Sequence, residues 1–268
     1  MRIVVCVKHV PDIHAERRLT ENNRVDRDPD DSVLNELDEN AVEEALTLIE
    51  GLNSEGPHEL IALTVGPKDA LASVRKALQL GAARGVHVSD EAIAGSDAFG
   101  TAKVLAAAVG KIHAETPVDL VFTGMASLDG VTSLVPSAIA AELNWPQATL
   151  ASEVILDDAA AVVRVKRELD HVVEQVEAPL PAVVSVTDQI NEPRYPNFRA
   201  IMGARKKPVE TLALADLGLA AENVGDAAAR TRVLSAAARP ERERGTIIID
   251  SGDGGKQLAQ WLVDQNLA

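Results

Sequence analysis

The sequence predicts an α/β fold built on a doubly wound parallel sheet, with an antiparallel extension and a C-terminal arm. Three observations predict it. Continuous apolar runs such as Arg2–Val7, Leu60–Val65 and Val118–Thr123 have the pattern of strands buried on both faces. Amphipathic stretches at helical spacing separate these runs, with short connections. After Pro146 that alternation stops, and strand-like segments follow one another through tight turns.

In chain order, Arg2–Val7 is the first strand, and Lys8-His9-Val10-Pro11-Asp12 leaves it. Ligands of open α/β sheets bind where strand carboxyl ends meet their loops, so Lys8 and Asp12 are noted against the plainer reading of a solvated turn. Polar Arg17–Asp31 carries the turn signal Asn22-Asn23 and reads as a surface hairpin or long loop ended by Pro29-Asp30-Asp31. Asn35–Leu52 is helical, with Ala41, Val42, Ala45, Leu46, Leu48 and Ile49 as its apolar stripe and Asn35 or Asp38 as its cap. Leu60–Val65 is a strand, Gly66-Pro67 a turn, and Lys68–Leu80 a helix closed by Gly81. A short strand at Gly85–Val88 and a helix at Asp97–Ala114 follow, then the strand Val118–Thr123 and its exit loop Gly124–Gly130. Val131–Leu143 is the next helix, and Pro136 sets its start near Ser133. Ala151–Ile155, Ala160–Lys166 and His171–Val176 form the antiparallel extension, closed by the apolar strand Pro181–Thr187. From Pro208 the chain reads as an arm with little core, a strand at Thr246–Asp250 and a helix at Lys256–Val263.

Bulk properties narrow the function. With 46% hydrophobic residues but 2% aromatics, Val, Leu, Ile and Ala must fill the core. A formal net charge of -15 and a pI near 4.8 argue against nucleic acid or an anionic membrane as partner. Cys6 is the single cysteine, so no internal disulfide forms, and no Cys/His cluster has metal-ligand spacing. The apolar start M-R-I-V-V-C-V is too short for a secretory signal, and no stretch approaches membrane-spanning length. The expectation is a cytoplasmic protein without membrane insertion.

Two stretches stand out as sites. Gly124-Met125-Ala126-Ser127-Leu128-Asp129-Gly130 followed by Val131-Thr132-Ser133 lies between a buried strand and a helix start. Free N–H groups and two hydroxyls there suit a phosphate; an ordinary strand-to-helix turn with a capping Thr or Ser fits equally well. The loop is neither a P-loop nor G-x-G-x-x-G. The six histidines are scattered, and none pairs with Ser or Cys in a nucleophile motif. The second stretch, Asn191–Lys207 (N-E-P-R-Y-P-N-F-R-A-I-M-G-A-R-K-K), concentrates Arg194, Arg199, Arg205, Lys206 and Lys207 with Tyr195 and Phe198 in an acidic protein. Its Pro-Arg-Tyr-Pro run is poor helix material. An aromatic in such a loop is either tucked inside or offered to a partner.

Several pieces carry a resemblance when taken together and in order. They are V-K-H-V-P-D at Val7–Asp12, N-E-L-D-E-N-A-V-E-E-A at Asn35–Ala45, Gly66-Pro67, and R-K-A-L-Q-L-G-A at Arg75–Ala82. D-L-V-F-T-G at Asp119–Gly124, W-P-Q-A-T at Trp145–Thr149, R-E-L-D at Arg167–Asp170, L-P-A-V-V-S-V at Leu180–Val186 and the stretch Asn191–Lys207 complete the set. The chain resembles the β subunit of electron-transfer flavoproteins. The resemblance implies a heterodimer whose α subunit holds most of a redox FAD. That FAD takes electrons from flavin-dependent dehydrogenases, such as acyl-CoA dehydrogenases, and gives them to a quinone-linked oxidoreductase. The β subunit is then no catalyst by itself but a Rossmann-like, adenine-nucleotide-binding domain, residues 1–207, holding a structural AMP. The implied pocket is Cys6, Asn35, Glu36, Leu37, Asp38, Val65, and Gly124 through Met125, Ala126, Ser127, Leu128, Asp129, Gly130, Val131, Thr132, Ser133, Leu134 and Val135. A recognition loop, 191–207, is implied to meet partners through Arg194, Tyr195, Phe198, Arg199, Ile201 and Met202, with Arg194, Arg199 and Arg205 steering acidic partners. Residues 208–268 are implied to pack on the α subunit.

Departures from the family pattern are informative. Phe198 stands where Leu is common. Gly130-Val131-Thr132-Ser133-Leu134 replaces further acidic residues and an Asn-Gln pair, and Ile13 replaces an aromatic found near the flavin in some members. These lean toward nitrogen-fixation-associated and electron-bifurcating members, in which a second FAD replaces AMP and receives hydride from NADH. Val131 in place of a polar Asp-Thr feature leaves that pattern incomplete, which favours AMP. A reading of another class is a stand-alone nucleotide-binding regulator of the universal-stress type, in which Asn191–Lys207 has no role.

Overall fold

The computed structural model describes residues 1–16, 18–27, 32–52, 56–237, 239–240, 242, 245 and 247–267. It divides into two units, Met1–Leu234 and Ser235–Ala268. The expected loop end Pro29-Asp30-Asp31 lies outside the described residues.

The first unit begins with β1 (Arg2–Cys6), β2 (His9–Pro11), β3 (Ser32–Leu34), α1 (Glu36–Glu50), β4 (Glu59–Val65), α2 (Leu71–Leu80), β5 (Arg84–Val88), α3 (Ala98–Glu115), β6 (Leu120–Gly124) and α4 (Val135–Leu143). Then come β7 (Gln147–Asp157), β8 (Val162–Leu169), β9 (Val172–Pro179), β10 (Ala182–Val186), α5 (Phe198–Ala204), β11 (Val209–Leu212) and α6 (Gly225–Ala228). The main sheet has the order β11-β5-β4-β1-β6-β10-β7-β8-β9. From β11 to β7 every pairing is parallel; β7-β8 and β8-β9 are antiparallel. The α/β doubly wound sheet and an antiparallel extension, β7–β9, are therefore as the sequence predicts, but Pro181–Thr187 does not close that extension: β10 pairs parallel with both β6 and β7, inside the main sheet.

Period-two alternation divides the core. Ile3, Val5, Leu60, Ala62, Leu120 and Phe122 face the side covered by α1 and α2, where Val42, Leu46, Val74 and Leu78 meet them. Val4, Cys6, Ile61, Leu63 and Val121 face the side covered by α3 and α4, against Leu105, Val109, Ile112 and Ile139. Full burial of one such Val, Leu or Ile side chain stabilises by about 1.5–3 kcal/mol, so the two faces together fix the sheet. Gly81 ends α2 at φ 151°, a conformation side chains rarely adopt.

The chain moves one way from β1 to β4 and β5, then crosses back to lay β6 on the other side of β1. That reversal puts the topological switch point between β1 and β6. In open α/β sheets it is here that the crevice at the strand carboxyl ends takes ligands.

Four local expectations are corrected. The exit of β1 is a strand, β2, paired antiparallel with β3. The helix expected to start near Ser133 starts at Val135, because Val131 at φ 48° and Ser133 at φ 53° are left-handed and interrupt helical geometry. The arm expected from Pro208 begins later: Val209–Leu212 pairs with β5 as an edge strand, and Leu212, Leu214 and Val224 are buried. The boundary drawn after residue 207 thus falls inside the first unit. Residues 247–250 form no strand.

The second unit, described by itself, carries α7 (Gly254–Asp264), none of whose residues is buried. Leu258, Trp261 and Leu262 fall on one face of it at helical spacing.

Candidate functional site

The carboxyl ends of β1 and β6 are stitched together by the first turn of α1. Asn35 holds the N-cap position, yet its side chain does not cap the helix. It reaches across instead: Nδ2 donates to Ala126 O at 3.0 Å, and Oδ1 accepts from Leu128 N at 3.0 Å. Asp38, also considered as a cap, accepts from Lys8 N at 2.8 Å and from Gly124 N at 3.2 Å. One asparagine and one aspartate in the same helical turn therefore brace both strand exits. Gly124 is required by this approach, since a Cβ there would lie 2.7 Å from Asp38 Oδ1 and 2.7 Å from the Leu37 carbonyl carbon.

The electrostatics follow from burial. Asp38 is 6% exposed, and desolvation pushes its carboxyl up to about 7 against the two backbone donors. Asp129 behaves oppositely. Burial disfavours its charge, but Lys8 and Arg27 hold it well below the usual carboxylate range. Lys8 Nζ lies 2.8 Å from Oδ1 and 3.2 Å from Ser127 Oγ; Arg27 Nε lies 2.7 Å from Oδ2. Two cations thus flank one carboxylate beside the loop, a setting that suits an anion. Cys6, Val65 and Val135 belong to the same apolar cluster beneath, and burial raises the Cys6 thiol, so it is a wall and not a reactive group.

Past Asp129 the loop opens to solvent. Gly130, Val131, Thr132, Ser133 and Leu134 are exposed, and α4 begins with no side-chain cap. The start of α4, apart from Pro136, which has no N–H, and the two hydroxyls are thus open to a phosphate. The structure brings Asn35, Leu37, Asp38, Gly124, Ala126, Ser127, Leu128 and Asp129 together with Lys8. Glu36 is exposed, and the Asp12 side chain accepts from His14 N in a local turn. Arg27 carried no signal in the sequence, because its partner lies 102 positions away. Two surface concavities of about 320 Å³ each lie elsewhere, one lined by Met1, His113, Asp119 and Pro181, the other on the face of β7–β9. Neither gathers the backbone donors and cations found at the switch point.

The stretch 191–207 leaves β10 and lies over α1 and α2. Tyr195 is 94% exposed and Phe198 78%. Asn197 accepts from Ala200 N at 2.9 Å and starts α5, of which Ala204 packs inward. Met202 is exposed, and Ile201 is half-buried. Arg199, Arg205 and Lys206 face solvent. Arg194 is half-buried and ion-paired with Glu43 at 2.7 Å and Glu50 at 2.7 Å. These ion pairs set Arg194 apart from Arg199 and Arg205 among the arginines expected to steer partners.

A family model described as the electron transfer flavoprotein domain matches residues 23–217. The electron transfer flavoprotein subunit beta of Mycobacterium tuberculosis (strain H37Rv) is 42% identical over 267 residues, covering 99% of this chain and 98% of the relative. The chain belongs to the electron transfer flavoprotein β-subunit family. The subunit beta of Methylophilus methylotrophus is 35% identical over 250 residues, covering 92% of each chain. The caffeyl-CoA reductase-Etf complex subunit CarD of Acetobacterium woodii is 33% identical over 266 residues, covering 99% of this chain and 97% of the relative. As a flavoprotein β chain it is an electron-carrier subunit. Among the described residues no helix is long and apolar enough to cross a membrane, and no group of three His, Cys, Asp or Glu could hold a metal.

Proposed function

We propose that this chain pairs with an electron transfer flavoprotein α subunit in the bacterial cytoplasm, binds a structural AMP at the β1–β6 switch point, and docks flavin-dependent dehydrogenases such as acyl-CoA dehydrogenases through Phe198. The FAD, held mainly by the α subunit, supplies the redox chemistry that links those dehydrogenases to a quinone-linked oxidoreductase. This chain's part is to bind, enclose and dock, without catalysis of its own. The second unit, with the apolar face of α7, packs on the α subunit in this reading.

The observation that carries it is the exposure of Phe198, 78%, on a stretch fastened to the core. Tyr195 and Phe198 stand exposed together on that stretch, and apolar anchors seated in pockets supply most interface energy. For the nucleotide, the lining supports the reading: Thr132, Ser133 and the uncapped start of α4 would meet the phosphate, Lys8 and Arg27 would supply positive potential, and Cys6, Val65 and Val135 would form the apolar wall. Membership of the flavoprotein family weighs against the stand-alone regulator.

The test is co-expression with the α subunit, followed by identification of the nucleotides released on denaturation. One AMP and one FAD per heterodimer is the expected result. The second reading, an electron-bifurcating subunit, is favoured by the likeness to the CarD subunit. Two FAD and oxidation of NADH would establish it instead.

A further inference from the structure

The docking stretch is fastened at both ends, and the fastenings differ. At its C-terminal end Lys207 Nζ donates to Leu78 O at 2.9 Å and Ala82 O at 2.6 Å, and Arg75 donates to Lys207 O at 3.1 Å, so this end rides on α2. At its N-terminal end Asn191 exchanges hydrogen bonds with Asn40 and donates to Glu44. Three residues on, Arg194 grips α1 with everything it has. Its backbone N–H and Nε donate to Glu43 at 3.0 and 2.7 Å, Nη1 to Glu50 at 2.7 Å, and Nη2 to both carboxylates at 3.0 Å. Glu43 and Glu50 stand two turns apart on one face of α1, a span that a planar guanidinium fork bridges and a lysine ammonium does not. Burial opposes ionisation of Glu43, yet Arg194 holds both glutamates below their ordinary range, so the clamp is charged on both sides at neutral pH. The helix that receives it is itself tied to the exits of β1 and β6 through Asp38.

We infer that Arg194 is a positioning residue, one that never meets the partner but holds the backbone so that Tyr195 and Phe198 are presented in their binding conformation. The inference rests on the docking role proposed above for Phe198. Ordering a loop before encounter removes that cost from association, and the adjacent residue, Tyr195, and Phe198 four positions on are the side chains that gain. A steering charge would behave differently, because its effect is on the association rate and fades with salt.

The experiment uses the full chain co-expressed with its α subunit, with reduction by a purified acyl-CoA dehydrogenase measured at low and high salt. Arg194→Gln is expected to raise the half-saturating dehydrogenase concentration by about 3- to 10-fold, with the maximal rate unchanged and the same factor at both salts. The double variant Glu43→Gln/Glu50→Gln should reproduce that shift, and Arg194→Lys should recover little of it. Amide hydrogen exchange over residues 191–197, measured without dehydrogenase, should quicken in the Gln variants. An effect that vanishes at high salt, or carboxylate variants with wild-type kinetics and exchange, would overturn the inference. Phe198→Ala separates the two layers. If it leaves reduction unchanged, the docking role falls; if it weakens reduction and Arg194→Gln does not, the positioning role alone falls.

Discussion

The Asp38 carboxylate accepts a hydrogen bond from the Gly124 backbone N–H at 3.2 Å, across 86 residues of sequence. This contact locks the start of α1 to the end of β6, and it exists only because position 124 has no side chain. Gly124→Ala would place a Cβ 2.7 Å from both Asp38 Oδ1 and the Leu37 carbonyl carbon. The latter is backbone and cannot swing aside. The substitution is expected to destabilise by about 1–3 kcal/mol, the usual cost of overpacking. Thermal unfolding of the isolated chain checks it, and an unchanged midpoint would mean that α1 can move away.

Asp38 also makes stability depend on pH in an unusual direction. Its folded carboxyl is pushed up to about 7, above its ordinary value of 3.8, so the folded state binds more protons between those values. Stability contributed by the protonated form is complete below the ordinary value and is lost as pH rises through about 7. Denaturant unfolding should therefore show a component that weakens from about pH 4 to pH 7. Asp38→Asn should flatten that component, although it also turns one amide N–H toward a backbone donor. A wild-type profile with no such slope would show that the carboxylate stays ionised.

Phe198→Ala should leave FAD and nucleotide content unchanged while weakening reduction by a dehydrogenase. If the ring is a buried anchor in the complex, the half-saturating concentration should rise roughly 30-fold, equivalent to about 2 kcal/mol. Stopped-flow reduction at limiting dehydrogenase is the measurement, and unchanged kinetics there would remove the anchor.

Arg199 and Arg205 face solvent, unlike Arg194. If they attract an acidic rim on the partner, Arg199→Gln/Arg205→Gln should slow association and reduce its dependence on ionic strength. Identical salt slopes for variant and wild type would exclude steering by this pair.

The apolar runs at Arg2–Val7, Leu60–Val65 and Val118–Thr123, and the helical stripes between them, were enough to give the parallel sheet, because a strand buried on both faces must be apolar throughout. The site was legible to the extent that the loop from Gly124 stood out between strand and helix. What those residues do was not. Asn35 has the residue type and position of a helix cap, and the sequence reads it as one; only the folded chain shows its amide bridging the Ala126 carbonyl and the Leu128 N–H in the loop after β6. Val131 and Ser133 carry no turn signature, yet both stand at positive φ, and α4 begins only at Val135.

The sequence by itself determined the family, the layer architecture and the two regions where function concentrates, since each depends on residue types at short spacing. Tertiary structure alone decided which charges remain free. Arg194 and Arg199 look alike in the sequence, but the fold brings Glu43 and Glu50 to the first and leaves the second in water. Lys8 and Arg27 find Asp129 for the same reason. Local periodicity fixes which way a side chain faces, whereas its electrostatic partner lies a hundred or more residues away and is chosen by how the helices close over the sheet.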